Sequence, residues 1–204
     1  MSGTVTGMHN PYGRRPGGGI TLPDWFRPTQ SCTSNNFAPP HEPLAEGEMR
    51  ICFTGSTPWP PTMIQSGTSI VLELGNGTPI PRRLFFDFGN GCVKNIMQRG
   101  ILPPMVRDIF ISHLHVDHYA DLPYFMPFRA WSGGWQSGLR IFGPSGDRPE
   151  TGTQYMVDKM HDMMTWHLEN FDHCPIGEGY NTEVVEFDYT DDGGVCLEEE
   201  GLTV

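Results

Sequence analysis

The stretch ISHLHVDHYADLP, Ile111 to Pro123, decides how this chain of 204 residues is read. It continues Asp108-Ile109-Phe110-Ile111-Ser112, a short apolar run of the kind that forms a buried strand. In an extended segment side chains two apart point the same way, so His113 and His115 place two imidazoles on one side of the strand's end. Asp117 and His118 follow where the chain turns, so a carboxylate and a third imidazole can converge on the first pair. Imidazole nitrogen and carboxylate oxygen suit zinc, manganese or iron, with zinc–nitrogen distances of about 2.0–2.1 Å. The bland alternative is a surface histidine cluster at a strand end. A strand before the motif and a turn after it favour metal binding.

Working outward, Arg50 to Phe53 alternates, Thr68 to Leu74 is rich in β-formers, Gly75-Asn76-Gly77 turns, and Arg83 to Phe88 reads as a third strand of an antiparallel-type sheet. Cys92 to Arg99 has helical texture and ends at Gly100. Beyond the motif, Tyr119 to Ala130 reads as a helix despite Pro123 and Pro127, and Leu139 to Phe142 as a strand. Thr151 to Asn170 has the longest helical pattern, with Met156, Met160, Met163, Met164 and His167 as a core-facing stripe. Glu183 to Tyr189 and Val195 to Val204 read as strands around the turn Asp191-Asp192-Gly193-Gly194. Strands alternating with helices predict α/β layers in residues 49–204, with helices covering the sheet faces. Residues 1–48, rich in Gly, Pro, Ser and Asn, read as an arm that Trp25 and Phe26 could anchor.

At this point a family resemblance emerges. ISHLHVDHYADLP resembles the signature of the metallo-β-lactamase superfamily. FTGSTPWPPT (Phe53 to Thr62) and LFFDFGNG (Leu84 to Gly91) resemble its first two sheet motifs in the same order, and the likeness runs from Met49 to the end. Asp121-Leu122-Pro123 is more similar to the arylsulfatase and tRNA 3′-endonuclease branch than to lactonases. More narrowly, the sequence resembles the guanitoxin-biosynthesis-type hydrolases of the superfamily.

The resemblance implies an αββα sandwich of which the chain holds the first half to two-thirds. It also implies two metal ions, zinc with Mn2+ or Fe2+ as alternatives, the first held by His113 and His115 and the second by Asp117 and His118. Their shared water, with its pKa lowered towards about 7, would attack an ester, lactone, sulfate or phosphodiester. Asp117 would orient that nucleophile or take its proton. Asp87 would hydrogen-bond a ligand or the histidine loop; with equal weight it is a turn-forming Asp before Gly89. A catalytic zinc holds about three protein ligands, so four groups are too few for two ions. The remaining ligands are therefore expected beyond Val204, and the chain by itself is expected to be inactive.

Composition narrows the function classes. Lys+Arg 13 against Asp+Glu 24 gives a net charge of −11, which argues against nucleic acid as partner. The leading expectation is a hydrolase of a small-molecule substrate. A tRNA 3′-processing endonuclease is the alternative, and a non-catalytic metal-binding fragment the third. An uncovered sheet edge would favour oligomers. Apolar runs such as Ser69 to Leu72 fall far short of the roughly 20 residues of a membrane span. Arg14-Arg15 is followed by Pro16 and glycines rather than an apolar region, so a cytoplasmic location is the default expectation. Cys32, Cys52, Cys92, Cys174 and Cys196 form no C-x-x-C pair, which leaves free thiols rather than a zinc ribbon. His161 and His167 read as structural, with His173 the nearest of the remaining histidines to a pocket role. Phe128, Arg129, Trp131 and Trp135 read either as pocket walls, Arg129 meeting an anionic substrate group, or as packing. Gly143-Pro144-Ser145-Gly146 lacks the spacing of a serine nucleophile elbow.

Overall fold

The computed structural model describes residues 43–57, 65–132, 138–171, 177–199 and 201–204. Three strands come first: β1 (Met49–Gly55), β2 (Ser69–Leu74) and β3 (Arg82–Phe86). Then α1 (Cys92–Gln98), β4 (Asp108–Phe110), α2 (Leu122–Trp131), β5 (Leu139–Pro144), α3 (Thr153–Met163), α4 (Thr165–Asn170) and β6 (Thr182–Phe187) alternate. Two short strands follow, β7 (Glu198–Glu199) and β8 (Leu202–Thr203), which pair as a hairpin around Gly201 at φ 74°.

The six long strands form one sheet in sequence order. β1, β2 and β3 are antiparallel, whereas β3 to β6 run parallel. Tight turns can join only antiparallel neighbours, so the change in sense falls where α1 first lengthens a connection into a crossover. Period-2 alternation gives each strand two faces. Val71, Phe85, Ile109 and Ile141 share one buried core with Ile96 of α1, Phe125 of α2 and Met160 of α3. Leu84, Phe110 and Phe142 share another with Leu197, just ahead of β7. Phe110 stacks between Phe86, at 5.1 Å, and Phe142, at 4.5 Å.

The expected α/β layering is therefore present, but among the described residues the helices cover one face only, and Ile51 and Phe53 of β1 stand 58% and 73% exposed. Charges embedded in the sheet are paired. Glu73, fully buried, lies between Arg50 at 2.9 Å and Arg83 at 2.8 Å. Burial would raise its carboxyl pKa, but the hydrogen bonds from Arg83 and Arg50 prevail and hold it below the usual carboxylate range.

Three expectations change in detail. The long helix is interrupted: a 3-10 turn at Pro149–Thr151 precedes α3, and Met164 (φ −89°, ψ 2°) separates α3 from α4. Of the methionine stripe, Met160 and Met164 are buried while Met163 is exposed to solvent. Val195 to Val204 folds back on itself instead of extending as one strand. Residues 43–48 are not loose, since Gly47 N–H donates to Gly75 O and Gly75 N–H to Glu48 O. The rest of the expected arm, Trp25 and Phe26 included, lies outside the described residues. No helix among the described residues is long and apolar enough to cross a membrane.

Candidate metal centre

The histidine motif leaves the sheet at the carboxyl end of β4, where Ile111 N–H still donates to Phe142 O of β5 at 2.7 Å. The chain then turns through a 3-10 helix at Val116–His118. Backbone bonds sew this turn to its neighbours: Phe88 N–H donates to His118 O at 2.6 Å, and Thr68 N–H to Asp117 O at 3.1 Å. Such close approach requires glycine nearby, because a Cβ on Gly67 would lie 2.7 Å from Asp117 O. Asp121 completes the anchoring, its two carboxylate oxygens accepting from Gly91 N–H and Val93 N–H at 2.9 Å each at the start of α1.

The fold brings the four sequence-predicted side chains together. His113 Nε2 and His115 Nδ1 are 2.9 Å apart, the rings of His113 and His118 are 3.9 Å between centroids, and His118 Nε2 is 3.6 Å from Asp117 Oδ2. Asp87, from the end of β3, joins them: its Oδ2 is 2.8 Å from His118 Nδ1 and its Oδ1 accepts from Ser112 N–H at 2.8 Å. Asp87 is also the one non-glycine residue among those described with a left-handed backbone, at φ 59°. A non-glycine residue held there costs on the order of 1–3 kcal/mol, which the surrounding contacts must offset. Of its two readings, the hydrogen-bonding one is thus present in the structure. The ring of His113 is pushed towards its neutral form by partial burial first, then by His118 and His115 beside it. Neutral imidazole is the form that donates a lone pair.

Among the described residues no group of three or more His, Cys, Asp or Glu side chains stands arranged to hold a metal ion. The donors instead bond to one another. Their chemistry nonetheless fits such an ion, because the His113–His115 nitrogen separation of 2.9 Å is near the ~3.3 Å edge of a tetrahedron with ~2.0 Å bonds. His115 is exposed.

An open cleft of about 720 Å³ lies against His113. It is lined by Ser112 and Leu114, by Ser145, Gly146 and Asp147 after β5, and by Asp188 and Tyr189 after β6. Its wall residues were missed in the sequence, as was Ser112. The signal that could have found them is the tendency of ligands to bind outside the carboxyl ends of parallel strands.

Of the two readings given to Phe128, Arg129 and Trp131, pocket wall or packing, the structure shows packing. Arg129 is fully buried and donates to Val106 O at 2.7 Å and Gly138 O at 3.4 Å, so it cross-links backbone rather than meeting a substrate anion. Phe128 stacks on Tyr124 and Trp131 packs against Phe171, neither in the cleft. His161 meets Thr182 and His167 meets Tyr180, both structural as expected. Trp135 and His173 lie outside the described residues.

Residues 62–135 match the metallo-beta-lactamase superfamily. Ribonuclease Z of Streptococcus agalactiae serotype V is 31% identical over 136 residues, 66% of this chain and 43% of the relative. Ribonuclease Z of Streptococcus pneumoniae strain CGSP14 is 32% identical with the same coverage. The chain thus spans less than half the length of these relatives. Among solved structures, human tRNase Z, short form, aligns at TM-score 0.47 and 21% identity, over 68% of this chain and 44% of that one.

These relatives overturn the expectation of a small-molecule substrate with nucleic acid unlikely, since they are ribonucleases by name. Net charge misled because it sums the whole chain. Bound cations are commonly the largest charges in a site, and a sequence total omits them.

Proposed function

Starting from a chain whose residues 62–135 belong to the metallo-beta-lactamase superfamily, we propose that it serves a metal-dependent hydrolase of the ribonuclease Z type, acting on phosphodiester bonds of RNA. The single observation that carries this reading is the convergence of His113, His115, Asp117 and His118, backed by Asp87, at the carboxyl end of β4.

His113, His115, Asp117 and His118 would hold the metal, zinc first and manganese or iron as alternatives. When bound, the metal supplies Lewis-acid chemistry and a water acidic enough to ionise near neutral pH. The chain's own residues do the rest. Asp87 accepts the Nδ1 proton of His118 and so keeps its Nε2 lone pair directed at the site. Asp117, beside His118 Nε2, is placed to orient the attacking water and hold its proton on a carboxylate oxygen. Leu114 and the ends of β5 and β6 wall one side of the cleft in which a substrate strand would lie.

The test has two parts. Zn2+ titrated into the chain should bind, and His113→Ala and His118→Ala should abolish that binding. A metal-loaded enzyme that carries this sequence and turns over at least one of the substrates is then offered pre-tRNA with a 3′ trailer, a generic aryl phosphodiester and aryl esters, because residues 1–204 by themselves are expected to be inactive. Cleavage of the RNA supports the reading. Failure of the wild-type chain to bind Zn2+, or turnover of aryl esters without RNA cleavage, overturns it.

A further inference from the structure

Ser112 stands immediately before the histidine motif, and its hydroxyl is the most connected group of the site. Its oxygen lies 2.9 Å from both carboxylate oxygens of Asp87, 3.1 Å from Nδ1 of His113 and 3.3 Å from Nδ1 of His118. A serine hydroxyl has one proton and two lone pairs. Asp87, as carboxylate, can only accept, so the hydroxyl proton goes to it. The oxygen is then left as an acceptor towards the imidazoles. His118 already has a shorter bond, 2.8 Å, to Asp87. His113 Nδ1 therefore has Ser112 as its partner and must bring the proton itself.

We infer that Ser112 is a positioning residue: its hydroxyl, oriented by Asp87, locks His113 in the tautomer protonated at Nδ1 and so leaves Nε2 as a lone pair facing His115. The remaining bond agrees, because the 2.9 Å contact between His113 Nε2 and His115 Nδ1 then has the latter as its donor. Ser112 and Asp87 thus divide the work, the carboxylate fixing His118 and the hydroxyl fixing His113. The two are held in register by the parallel pairing of Phe86, next to Asp87, with Phe110, two residues before Ser112. The part of this inference that concerns metal affinity rests on the proposed function, whereas the tautomer itself does not.

The test is nitrogen NMR of the histidine rings in the full 204-residue chain without metal, at a pH where the rings are neutral. Wild-type His113 is expected to show the Nδ1–H tautomer. Ser112→Ala is expected to shift it to Nε2–H or to a mixture, and Ser112→Thr, which keeps the hydroxyl, to restore Nδ1–H. Affinity for Zn2+ alone is expected to fall about tenfold in the alanine variant and to recover in the threonine variant. The inference is overturned if wild-type His113 carries its proton on Nε2, or if folded Ser112→Ala keeps the Nδ1–H tautomer. Should Ser112→Ala not fold, the wild-type spectrum still decides. A wild-type chain that shows the Nδ1–H tautomer but binds no Zn2+ would sink the metal reading and leave the role of Ser112 standing.

Discussion

His118 Nδ1 lies 2.8 Å from Asp87 Oδ2, and Asp87 makes that contact from a left-handed backbone conformation that only a tightly determined site would retain. Asn tolerates the same conformation, so Asp87→Asn isolates the carboxylate charge from the backbone strain. We expect affinity for Zn2+ to drop about 10–100-fold with little change in fold. Isothermal titration of the variant against wild type checks this, and equal affinities would remove Asp87 from the site.

Asp87 meets His118 and Ser112 only through the fold, not through any local pattern of the chain. The three leading strands and the ligand motif were legible, because alternation and the H-x-H-x-D-H spacing are local properties of the chain. The partnership of Asp87 with Ser112 and His118 is not local. It depends on Phe86 pairing with Phe110 across 24 positions, and nothing in either segment announces that register. Choosing between the two readings of Arg129, a pocket wall or packing, depends in the same way on its acceptors on Val106 and Gly138, which belong to other segments. Nor does any Pro or Gly mark the break at Met164.

Arg129 therefore yields a stability prediction rather than a catalytic one. Arg129→Met would strip donors from two carbonyls, and an unsatisfied buried polar group costs about 1–3 kcal/mol. Urea denaturation should show a loss of about 2–4 kcal/mol, with Zn2+ affinity of the folded fraction unchanged. Wild-type stability in the variant would contradict the assignment.

Glu199 gives a prediction in pH. Hydrogen bonds from Arg140 and then Arg82 pull its pKa down to about 2, and both arginines also contact Asp108. A carboxylate with a depressed folded-state pKa stabilises the fold above its unfolded value, and that contribution is lost as pH falls through the folded value. The stability gap between wild type and Glu199→Gln should thus be fully open above about pH 5 and should close as pH falls towards about 2. A gap that does not change with pH would mean that the β7–β8 hairpin is held by its apolar contacts alone.

Gly89 tests the sewing of the loop. A Cβ at this position would collide with Asp117 O and lie 2.7 Å from Thr68 N, both backbone atoms that cannot swing aside. Overpacking of this kind costs about 1–3 kcal/mol. Gly89→Ala should lower the melting temperature and weaken Zn2+ binding together, since relieving the clash displaces Asp117. A variant that loses stability but binds Zn2+ as wild type would show that the Asp117 carbonyl can move without moving its carboxylate.

Asp117 is where the proposed chemistry is most exposed to test. Its backbone oxygen is committed to Thr68 N–H, while its carboxylate, 3.6 Å from His118 Nε2, makes no hydrogen bond that holds the loop among the described residues. Asp117→Asn keeps the side chain's size and the backbone bond and removes only the charge. If that carboxylate helps hold the metal and takes the proton of the attacking water, then in an active enzyme that carries this sequence kcat for RNA cleavage should fall by about 100-fold or more, the range over which a general base contributes. The melting temperature of the metal-free protein should hardly move. Measuring kcat, bound metal and melting temperature on the same preparation separates the outcomes. Lost metal with lost turnover points to the ligand role, and retained metal with lost turnover to the proton. Full metal occupancy with unchanged kcat would remove Asp117 from the reaction altogether.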